Sequence, residues 1–533
     1  MSGIPRPQAV SSHRLTDLTA VLPARFVGPA DAAVTGVTHA STEVRPGDLY
    51  AALPGARRHG AEFVAAAAAA GATAVLTDEA GVAAAEAAGL PVLVADDPRA
   101  VLGAVASAVY GDPSSRLTVI GITGTAGKTS TAYLVESGLR AAGLTTGLIG
   151  TVETRLGDVV VDSVRTTPEA TDLHAMLAAA LERGVTAVVM EVSSHALVMG
   201  RVGGVRFAAG GYTNFGLDHL DFHADADDYF AAKARLFDGR CGAEVLNADE
   251  EALRPLVKAD TVSYSAAGDP AATWYASAVH GDAYGQRFTA HGPGGPVDAG
   301  VSLPGRHNVA NALLALGLLV AVGVDPAVAA RGIAACPGVP GRLERVTAPG
   351  DVLGVVDYAH KPDAIVAALA ALRELAGQRG GRLVCVIGAG GDRDRGKRPL
   401  MGAAAARGAD VVVVTDDNPR TEDPAAVRAA VRAGAERADA EQAGVGAKVV
   451  EVAGRRAAID EAVRLAGPGD VVAVLGKGHE RGQDVGGRVL PFDDRTELTA
   501  ALTDRASTSD PTSRSAVGSP ATPDSPATPE DTR

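Results

Sequence analysis

The sequence is poor in cysteine and has fewer basic than acidic residues. Its three cysteines, Cys241, Cys336 and Cys385, are far apart, so they form neither a disulfide framework nor a metal-ligand spacing. This cysteine usage fits a reducing cytoplasm. The net charge of −14 at pH 7 argues against a nucleic-acid partner, because such proteins normally present a basic face. An anionic substrate would therefore be held by local positive groups.

Long apolar segments are missing as well. Residues 1–14 lack the apolar core of a secretory signal peptide, and the apolar run at 65–70 is too short to cross a bilayer. We therefore expect a cytoplasmic protein without membrane insertion. What the sequence does have is 533 residues, 47% of them hydrophobic and 21% charged. This composition is typical of a globular protein of two to four domains.

The pattern along the chain predicts three α/β domains between two disordered tails. Strands at 72–77 and 91–94, with a helix at 60–71, indicate a small first domain. Strands at 382–387, 410–414 and 470–475 alternate with helices, which predicts a mostly parallel, Rossmann-like sheet in the last domain. The predicted segments are a disordered N-terminus at 1–14, domains at 15–115, 116–340 and 341–505, and a disordered Ser/Pro/Thr-rich tail at 506–533.

A glycine-rich segment between a predicted strand and a predicted helix has the architecture of a phosphate-binding loop. It reads Gly121-Ile122-Thr123-Gly124-Thr125-Ala126-Gly127-Lys128-Thr129-Ser130. Backbone N–H groups and the helix N-terminus would face a phosphate chain, Lys128 would add positive charge, and Thr129 would offer its hydroxyl to Mg²⁺. The usual pattern has glycine where Ile122 stands, so the loop indicates a narrower class. The alternative is a chance glycine turn before a helix.

Three further side chains are candidates for metal binding. Glu191 ends a predicted buried strand at 185–191, where a carboxylate can hold the Mg²⁺ that bridges phosphates; the alternative is an acid that caps the next helix. His219 lies in a segment with a second histidine and two aspartates, which alone is as often a hydrogen-bonded turn as a metal site. Lys233 lies on a predicted helix at 229–237, where spacing alone favours a solvated lysine.

Together these motifs resemble the Mur ligase family, the ATP-dependent enzymes that build the peptide of peptidoglycan. The resemblance runs from about residue 35 to 504, and the family shares the shifted loop glycine. The motifs are Gly-Ile-Thr-Gly-Thr-Ala-Gly-Lys-Thr at 121–129, Glu-Val-Ser-Ser-His at 191–195, Asp-His-Leu-Asp-Phe-His at 218–223 with Ala-Ala-Lys at 231–233, Gly-Arg-His-Asn-Val-Ala-Asn-Ala at 305–312, Gly-Arg-Leu-Glu at 341–344, and Val-Asp-Tyr-Ala-His-Lys-Pro-Asp at 356–363.

The resemblance implies roles for particular residues. Lys233 matches the lysine that reacts with CO2 to form a carbamate (N6-carboxylysine), which can bind a second Mg²⁺ beside His219; Thr129 and Glu191 would hold the first. The implied catalytic residues are Lys128, Glu191, His219 and Lys233. The implied ATP-binding residues are Gly124, Thr125, Ala126, Gly127, Lys128, Thr129, Ser130, Asn308, Asn311, Arg342 and Asp357, with His360 nearby.

The resemblance also implies which substrates are joined. The acceptor is a UDP-sugar dipeptide, UDP-MurNAc-L-Ala-D-Glu, and the first domain binds its UDP. The implied contacts are Ser41, Thr166, Thr167, Ser193 and Arg201. Relatives often read Asp-Ser-Arg around Ser41, have glutamine at Met199 and have asparagine at Ala126.

In the family, Asp-Asn-Pro-Arg in the last domain marks the enzymes that add meso-diaminopimelate. That amino acid has a second head, whose carboxylate suits the fork of Arg420 and whose ammonium suits Glu480. Lysine lacks the second carboxylate, so it would leave an arginine unpaired. The implied diaminopimelate-binding residues are Arg393, Asp417, Asn418, Pro419, Arg420, Gly476 and Glu480. A dinucleotide site at 388–391 is disfavoured, because the pattern is not G-x-G-x-x-G.

The implied reaction is amide formation through an acyl phosphate of the D-glutamate γ-carboxylate, in a monomer. The sequence leaves other functions open. A lysine-adding ligase and a folylpolyglutamate-type ligase would share the fold. A simple ATPase or small-molecule kinase would hydrolyse or transfer phosphate without forming an amide, and a nucleotide-binding scaffold would do neither.

Overall fold

The computed structural model describes residues 5–19, 22–29, 31–282, 284–441 and 446–509. These residues fall into two compact units, the first ending at Arg342 and the second beginning at Leu343. The described part of the chain has no helix with both the length and the apolar composition of a membrane span.

The first unit begins with a small sheet of order β2-β7-β6-β5-β4. Its strands are parallel except for β2, and their buried apolar residues pack under α4. A separate antiparallel pair joins β1 to β3. The elements are β1 (His13–Arg14), α1 (Leu15–Thr19), β2 (Arg25–Val27), β3 (Ala33–Val34), β4 (Gly36–Thr38), β5 (Asp48–Ala51), α2 (Val64–Ala69), β6 (Ala74–Thr77), α3 (Val82–Ala87), β7 (Val92–Val94) and α4 (Pro98–Val109).

The prediction of a disordered segment at 1–14 is wrong for residues 5–14. The guanidinium of Arg6 donates to the Asp48 carboxylate at 2.7 Å, and the backbone N–H groups of Gln8 and Ala9 donate to Glu182. The polar composition of the segment hid these ion-pair and hydrogen-bond partners, which lie far along the chain. Residues 1–4 lie outside the described part, as do residues 510–533 of the predicted tail.

The rest of the first unit is built on a large twisted sheet. Its order is β11-β10-β9-β12-β8-β13-β14-β15-β16-β17-β18. The seven central strands in this order, from β9 through β8 to β16, are parallel to one another, and antiparallel hairpins extend both edges. Helices α5 and α9 bury their apolar faces against it. The elements are β8 (Thr118–Thr123), α5 (Lys128–Ala141), β9 (Thr146–Ile149), β10 (Glu153–Leu156), β11 (Val159–Asp162), α6 (Ala170–Glu182), β12 (Ala187–Glu191), α7 (Ser194–Val198), β13 (Phe207–Tyr212), α8 (Ala226–Ala234), β14 (Cys241–Asn247), β15 (Val262–Ser265), β16 (Trp274–Asp282), β17 (Gly285–Gly292), β18 (Gly295–Val301), α9 (Arg306–Ala321) and α10 (Pro326–Ala334).

The second unit is a sheet of order β19-β20-β24-β21-β22-β23. Every pair is parallel except the edge pair β19–β20, and a hairpin of β25 and β26 lies outside the sheet. The elements are β19 (Glu344–Val346), β20 (Leu353–Asp357), α11 (Pro362–Gln378), β21 (Leu383–Ile387), α12 (Lys397–Gly408), β22 (Val411–Val414), α13 (Pro424–Glu441), β23 (Lys448–Glu451), α14 (Arg455–Leu465), β24 (Val471–Leu475), β25 (Gly482–Val485), β26 (Arg488–Pro491) and α15 (Asp494–Ser509).

The three strands that the sequence predicts in this unit are confirmed as β21, β22 and β24, and they are parallel as expected. All three consist of buried apolar residues, as expected of strands covered on both faces. Their carboxyl ends meet at one edge of the sheet, where ligands of such sheets bind.

Candidate active site

The predicted phosphate loop lies between β8 and α5, as expected. Gly124 and Gly127 have φ of +138° and +83°, the region that glycine adopts without strain. A Cβ on Gly124 would lie 1.8 Å from Thr213 Oγ1, so only glycine fits there. Residues 124–127 form the turn, and Lys128, Thr129 and Ser130 form the first turn of α5.

Two residues at the end of the neighbouring strand β13 hold this loop in place. The N–H of Thr125 donates to Asn214 O at 2.9 Å, and that of Ala126 to Asn214 Oδ1 at 3.0 Å. Thr213 donates from its hydroxyl to Ala126 O at 2.5 Å. Neither residue is predicted from the sequence, because only the pairing of β8 with β13 brings them to the loop.

Lys128 folds back over the loop. Its Nζ donates to the carbonyls of Gly124 at 2.7 Å and Thr125 at 3.2 Å. The ammonium group therefore lies beside the loop backbone, where an anionic ligand bound at the helix N-terminus would meet it.

Glu191 lies at the end of β12, which pairs with β8. It is 1% exposed, and it accepts hydrogen bonds from Thr129 Oγ1 at 3.0 Å, Thr151 N–H at 2.7 Å and Thr151 Oγ1 at 3.1 Å. Ser193, not Glu191, caps α7, so the helix-cap alternative is wrong. A carboxylate and a hydroxyl side by side are oxygen ligands of the kind that Mg²⁺ prefers, so these residues fit the ion.

Lys233 is 1% exposed, not solvated as its spacing alone would suggest. Its Nζ donates to Gly124 O at 2.9 Å and lies 4.5 Å from the centre of the Tyr229 ring. Helix α8 thus brings a lysine to the loop from more than 100 residues away in sequence. Tyr229 in turn donates to Thr125 Oγ1 at 3.3 Å.

The His219 ring lies next to the same Tyr229 ring. Its ring centre is 6.2 Å from that of Tyr229, its Nε2 is 3.2 Å from Asp218 Oδ2, and the side chain is 43% exposed. The Tyr229 ring is therefore shared by His219 and Lys233. Within the described ranges, no group of three His, Cys, Asp or Glu residues is arranged to hold a metal ion.

Two further histidines, which the sequence analysis did not assign, surround His219. The His195 ring lies 4.8 Å from that of His219 and stacks on Phe222 at 4.0 Å. Burial lowers the pKa of His195, and His223 and Arg201 lower it further. His223 joins two helices, with Nε2 3.0 Å from Ser194 Oγ and Nδ1 3.1 Å from Asp228 Oδ2.

Asn308 and Asn311 lie on the first turns of α9, beside the loop. Asn311 donates to Asn308 Oδ1 at 3.0 Å and accepts from Thr131 Oγ1 at 3.4 Å. A Cβ on Gly127 would lie 2.5 Å from Asn311 Oδ1. Both asparagines are therefore buried next to the start of α5.

Four residues of the predicted acceptor site cluster next to Glu191. Thr167 donates to Glu191 O at 2.9 Å and lies 3.4 Å from Ser193 Oγ; Thr166 Oγ1 is 3.1 Å from Thr151 Oγ1. Arg201 donates to Thr167 O at 3.5 Å. Thr166 and Thr167 thus connect the predicted acceptor residues to Glu191, whose carboxylate contacts Thr129.

Arg201 belongs to a group of three arginines around one buried carboxylate. Glu169 is 2.9 Å from Arg201, 3.6 Å from Arg99 and 4.0 Å from Arg165. Burial lowers the pKa of Arg201, and Glu169 opposes that shift. The excess positive charge suits an anionic substrate.

Ser41 begins a short 3-10 turn after β4. The preceding His39 places its Nδ1 3.1 Å from Thr171 Oγ1 on α6. Arg342 is the last residue of the first unit, whereas Asp357 lies at the end of β20 in the second. Asp357 accepts from the N–H groups of Leu343 and Ala359, both at 2.7 Å.

In the second unit, the loops after β22 and β24 meet as predicted. Asn418 donates from Nδ2 to Glu480 Oε2 at 2.8 Å. Lys477, fully buried, donates to Asn418 Oδ1 and to Glu480 Oε2, both at 3.0 Å. Burial opposes ionisation of Glu480, but Lys477 and Asn418 outweigh it and lower its pKa. The sequence analysis missed Lys477, although it lies within the same motif.

Arg420 extends from the loop after β22 to the loop after β21. Its Nη1 donates to Gly391 O at 2.6 Å, and its φ is +52°. Gly391 has no room for a side chain, since a Cβ there would lie 1.9 Å from Pro419 O. Arg393 follows in the same loop and is exposed. The glycines at 390–391 thus serve loop packing.

Asp417 and Gly476 complete the group of predicted residues in this unit. A Cβ on Gly476, which has φ of +117°, would lie 2.4 Å from Asp417 Oδ2. Gln483 in β25 donates to Asp417 O at 2.6 Å, and Asp484 N–H donates to Asn418 Oδ1 at 2.9 Å. The hairpin therefore covers the Asp-Asn-Pro-Arg loop.

Three family models match the chain. The Mur ligase family catalytic-domain model matches residues 33–110, the Mur ligase middle-domain model 122–319, and the Mur ligase glutamate-ligase-domain model 341–478. A curated relative from Streptomyces avermitilis is 53% identical over 94% of this chain and 98% of its own length. The chain belongs to the Mur ligase family.

The names of the relatives of this Mur ligase agree with one another. The S. avermitilis protein is named UDP-N-acetylmuramoyl-L-alanyl-D-glutamate--2,6-diaminopimelate ligase. A relative from Leifsonia xyli, 42% identical over 93% of this chain and 97% of its own, is named UDP-N-acetylmuramyl-tripeptide synthetase. A solved structure with the same name as the S. avermitilis protein has a TM-score of 0.66 and 29% identity, covering 93% of this chain and 99% of that chain.

These findings confirm the predicted family and its three-domain α/β fold, and with them an ATP-dependent ligase. The roles of individual residues stay predictions. Hydrogen bonds join Thr129 to Glu191 and Asn418 to Glu480, as expected if each pair belongs to one site.

A carboxylate behind the Arg393 loop provides a test at low pH. Arg398 and the N–H of Asp392 each donate to the Glu422 carboxylate at 2.7 Å. Together they lower the pKa of Glu422 from 4.5 to about 2. The ionised form therefore stabilises the fold fully above pH 4.5, and this contribution is lost as the pH falls toward 2.

We expect Glu422→Gln to lower the Tm near neutral pH, because the buried Arg398 loses its counter-ion. The Tm difference from the wild type should narrow as the pH falls below 4.5. Thermal melts across the acidic range measure it, with the exposed Glu374→Gln on α11 as the control. A Tm difference that stays constant with pH would contradict the shifted pKa.

Proposed function

We propose that this chain joins meso-diaminopimelate to the D-Glu γ-carboxylate of UDP-MurNAc-L-Ala-D-Glu, using ATP, in peptidoglycan precursor synthesis. The observation that carries the proposal is the site after β22 and β24. There a guanidinium, Arg420, and a carboxylate, Glu480, are fixed in one group of loops. This pairing complements the second amino-acid head of diaminopimelate, and the names of the relatives agree with it.

The phosphate loop and Lys128 bind the ATP phosphates, and Asn308, Asn311, Arg342 and Asp357 bind the rest of the nucleotide. Attack of one anion on another needs charge neutralisation, which Lys128 contributes. Mg²⁺ supplies further neutralisation of the phosphoryl oxygens. Thr129 and Glu191 would hold one ion.

The second metal site of the proposal consists of His219 and Lys233. Lys233 would act as the carbamate formed with CO2, which converts a buried cation into an anion with two oxygen ligands. What supports this is the burial of Lys233 and the Tyr229 ring that it shares with His219.

Acceptor binding falls to the cluster beside Glu191 and to the first sheet. Thr166, Thr167, Ser193 and Arg201 would hold the dipeptide end, where the D-Glu carboxylate must reach the γ-phosphate. Ser41 would contact the uridine end.

Three assignments complete the proposal. The domains are the UDP-binding domain at 15–115, the ATP-binding domain at 116–340 and the amino-acid-binding domain at 341–505. The protein works as a monomer in the cytoplasm. Arg393, Asp417, Pro419 and Gly476 line the diaminopimelate site with Asn418, Arg420 and Glu480.

The test supplies the purified protein with ATP, Mg²⁺ and UDP-MurNAc-L-Ala-D-Glu, and compares meso-diaminopimelate with lysine. We expect the diaminopimelate tripeptide by mass spectrometry, and a kcat/KM for diaminopimelate at least about tenfold above that for lysine. Arg420→Ala should reduce this ratio, because the second carboxylate loses its partner.

Other outcomes separate the alternatives. Product mainly from lysine would overturn the specificity. Phosphate release without an amide product would indicate a simple ATPase, and glutamate addition to a folate would indicate a folylpolyglutamate-type ligase. The surface variant Arg464→Ala on α14 serves as the control and should leave the ratio unchanged.

A further inference from the structure

A fully buried arginine lies under the two loops of the proposed amino-acid site. Arg455 is the first residue of α14, and Asp494 is the first residue of α15; the side chains of both are 0% exposed. Arg455 donates to Asp494 through Nε at 2.6 Å and Nη2 at 2.7 Å. This bidentate pair is a rigid, directional contact.

The remaining donors of Arg455 point to the two loops. Nη2 donates to Leu475 O at 3.0 Å, at the end of β24 and directly before Gly476. Nη1 donates to Asp416 O at 3.3 Å, directly before Asp417, and lies 4.0 Å from Asp417 Oδ2. One guanidinium thus joins the ends of β22 and β24 to α15.

The backbone around Arg455 strengthens this connection. Gly454 N–H donates to Asp416 Oδ2 at 2.9 Å, and Arg428 donates to Asp416 Oδ1 at 2.5 Å. The side chain and main chain at the start of α14 therefore both hold Asp416. The loop that begins there carries Asn418 and Arg420, and the loop after Leu475 carries Glu480.

We propose that the buried Arg455–Asp494 pair is a positioning device that sets the distance between Arg420 and Glu480 and so determines affinity and selectivity for the amino-acid substrate. Arg455 itself does not contact substrate. It acts through the carbonyls of Asp416 and Leu475, which fix where the two substrate-binding loops begin. The identity of the amino acid rests on the proposed function; the positioning role does not.

A second arginine–aspartate pair in the same sheet separates positioning from general stability. Arg382, directly before β21, donates to the Asp470 carboxylate at 2.9 Å, and Asp470 directly precedes β24. This pair joins the amino ends of two strands, at the edge opposite the proposed site. Because the Arg382 side chain is 53% exposed and that of Arg455 is 0% exposed, Arg382→Met controls for the loss of an arginine–aspartate pair in this sheet, and the Tm of each variant measures stability separately.

The experiment measures KM for each substrate separately, in the full-length protein. We expect Arg455→Met to raise KM for the amino acid by about tenfold or more, because two carbonyls and Asp494 lose their donor. KM values for ATP and the UDP-dipeptide should change less than about twofold. Arg455→Lys should fall between wild type and Met, since one ammonium cannot supply the fork.

Hydrogen–deuterium exchange gives a readout that is independent of the reaction. Arg455→Met or Arg455→Lys should speed exchange at 416–420 and 476–480, and Arg382→Met should not. If Arg455→Met does not fold, Arg455→Lys carries the test.

The outcomes distinguish this inference from the proposed function. If the wild type ligates another amino acid, the diaminopimelate proposal fails, and KM for that amino acid still tests Arg455. If the wild type ligates no amino acid, the hydrogen–deuterium exchange rates at 416–420 and 476–480 test the positioning role. Equal increases in all three KM values, an unchanged amino-acid KM in a folded variant, or unchanged exchange in both loops would overturn the positioning role.

Discussion

Lys233→Ala is expected to lower kcat for tripeptide formation by about 100-fold or more, the usual cost of losing one stabiliser of transition-state charge. Lys233 is buried against Gly124 O and the Tyr229 ring. If its carbamate binds Mg²⁺, alanine removes two oxygen ligands and leaves room for a small anion. Added formate or acetate should therefore restore part of the activity. Steady-state rates with and without the carboxylate measure both effects.

The control is Lys258→Ala in the same unit. Lys258 is 47% exposed, forms an ion pair with Glu244 at 2.6 Å and donates to Phe237 O at 2.9 Å. Its loss should leave kcat unchanged and should show no response to added carboxylate. Full activity of Lys233→Ala would refute the carbamate role. Loss of activity without any rescue by formate or acetate would point instead to a structural role in holding the loop.

Glu191→Gln has the second largest expected effect, again about 100-fold or more in kcat. Glutamine is nearly isosteric, its oxygen can still accept from the Thr151 N–H, and its NH2 group can donate to the Thr129 hydroxyl, so the fold should persist. What it loses is the negative charge that draws Mg²⁺ to the Thr129 hydroxyl. The Mg²⁺ concentration for half-maximal rate should therefore rise together with the fall in kcat.

Glu244→Gln, on β14 of the same sheet, is the control for a buried carboxylate outside the site. It should alter neither kcat nor the Mg²⁺ requirement. An unchanged Mg²⁺ dependence in Glu191→Gln, with kcat lowered, would show that Glu191 acts on loop geometry and not on the ion. The Tm of each variant checks that the fold is intact.

Most of the fold that the sequence predicts is confirmed where the pattern is local. The apolar runs that became β8, β12, β21, β22 and β24 are buried strands because each is covered on both faces. The N-terminal segment was predicted wrongly because its order depends on contacts with distant residues and not on a local pattern. Its polar residues carry no period, and Arg6 is held by Asp48, a partner 42 residues away.

The same distinction holds within the candidate site. The phosphate-loop spacing and a strand end predicted Thr129 and Glu191, and the family resemblance implied Asn418 and Glu480. Neither indicated Thr151, Asn214 or Lys477. Thr151 contacts the site because β9 pairs with β12, and Asn214 because β8 pairs with β13. Lys477 does so because β24 lies beside β21, whose other neighbour is β22.

The sequence by itself determined that this chain has a phosphate loop, an Asp-Asn-Pro-Arg loop and the family to which both belong. Those features are contiguous, and backbone conformation and local chemistry dictate them. The tertiary structure alone decided that Lys233 is buried at Gly124, that Ser193 and not Glu191 caps α7, and that Arg455 joins the loops after β22 and β24. The Lys233 and Arg455 contacts join distant segments, which sheet order creates and spacing along the chain does not encode. The Ser193 cap is local, and it depends on which of two nearby side chains accepts from the Ala196 N–H.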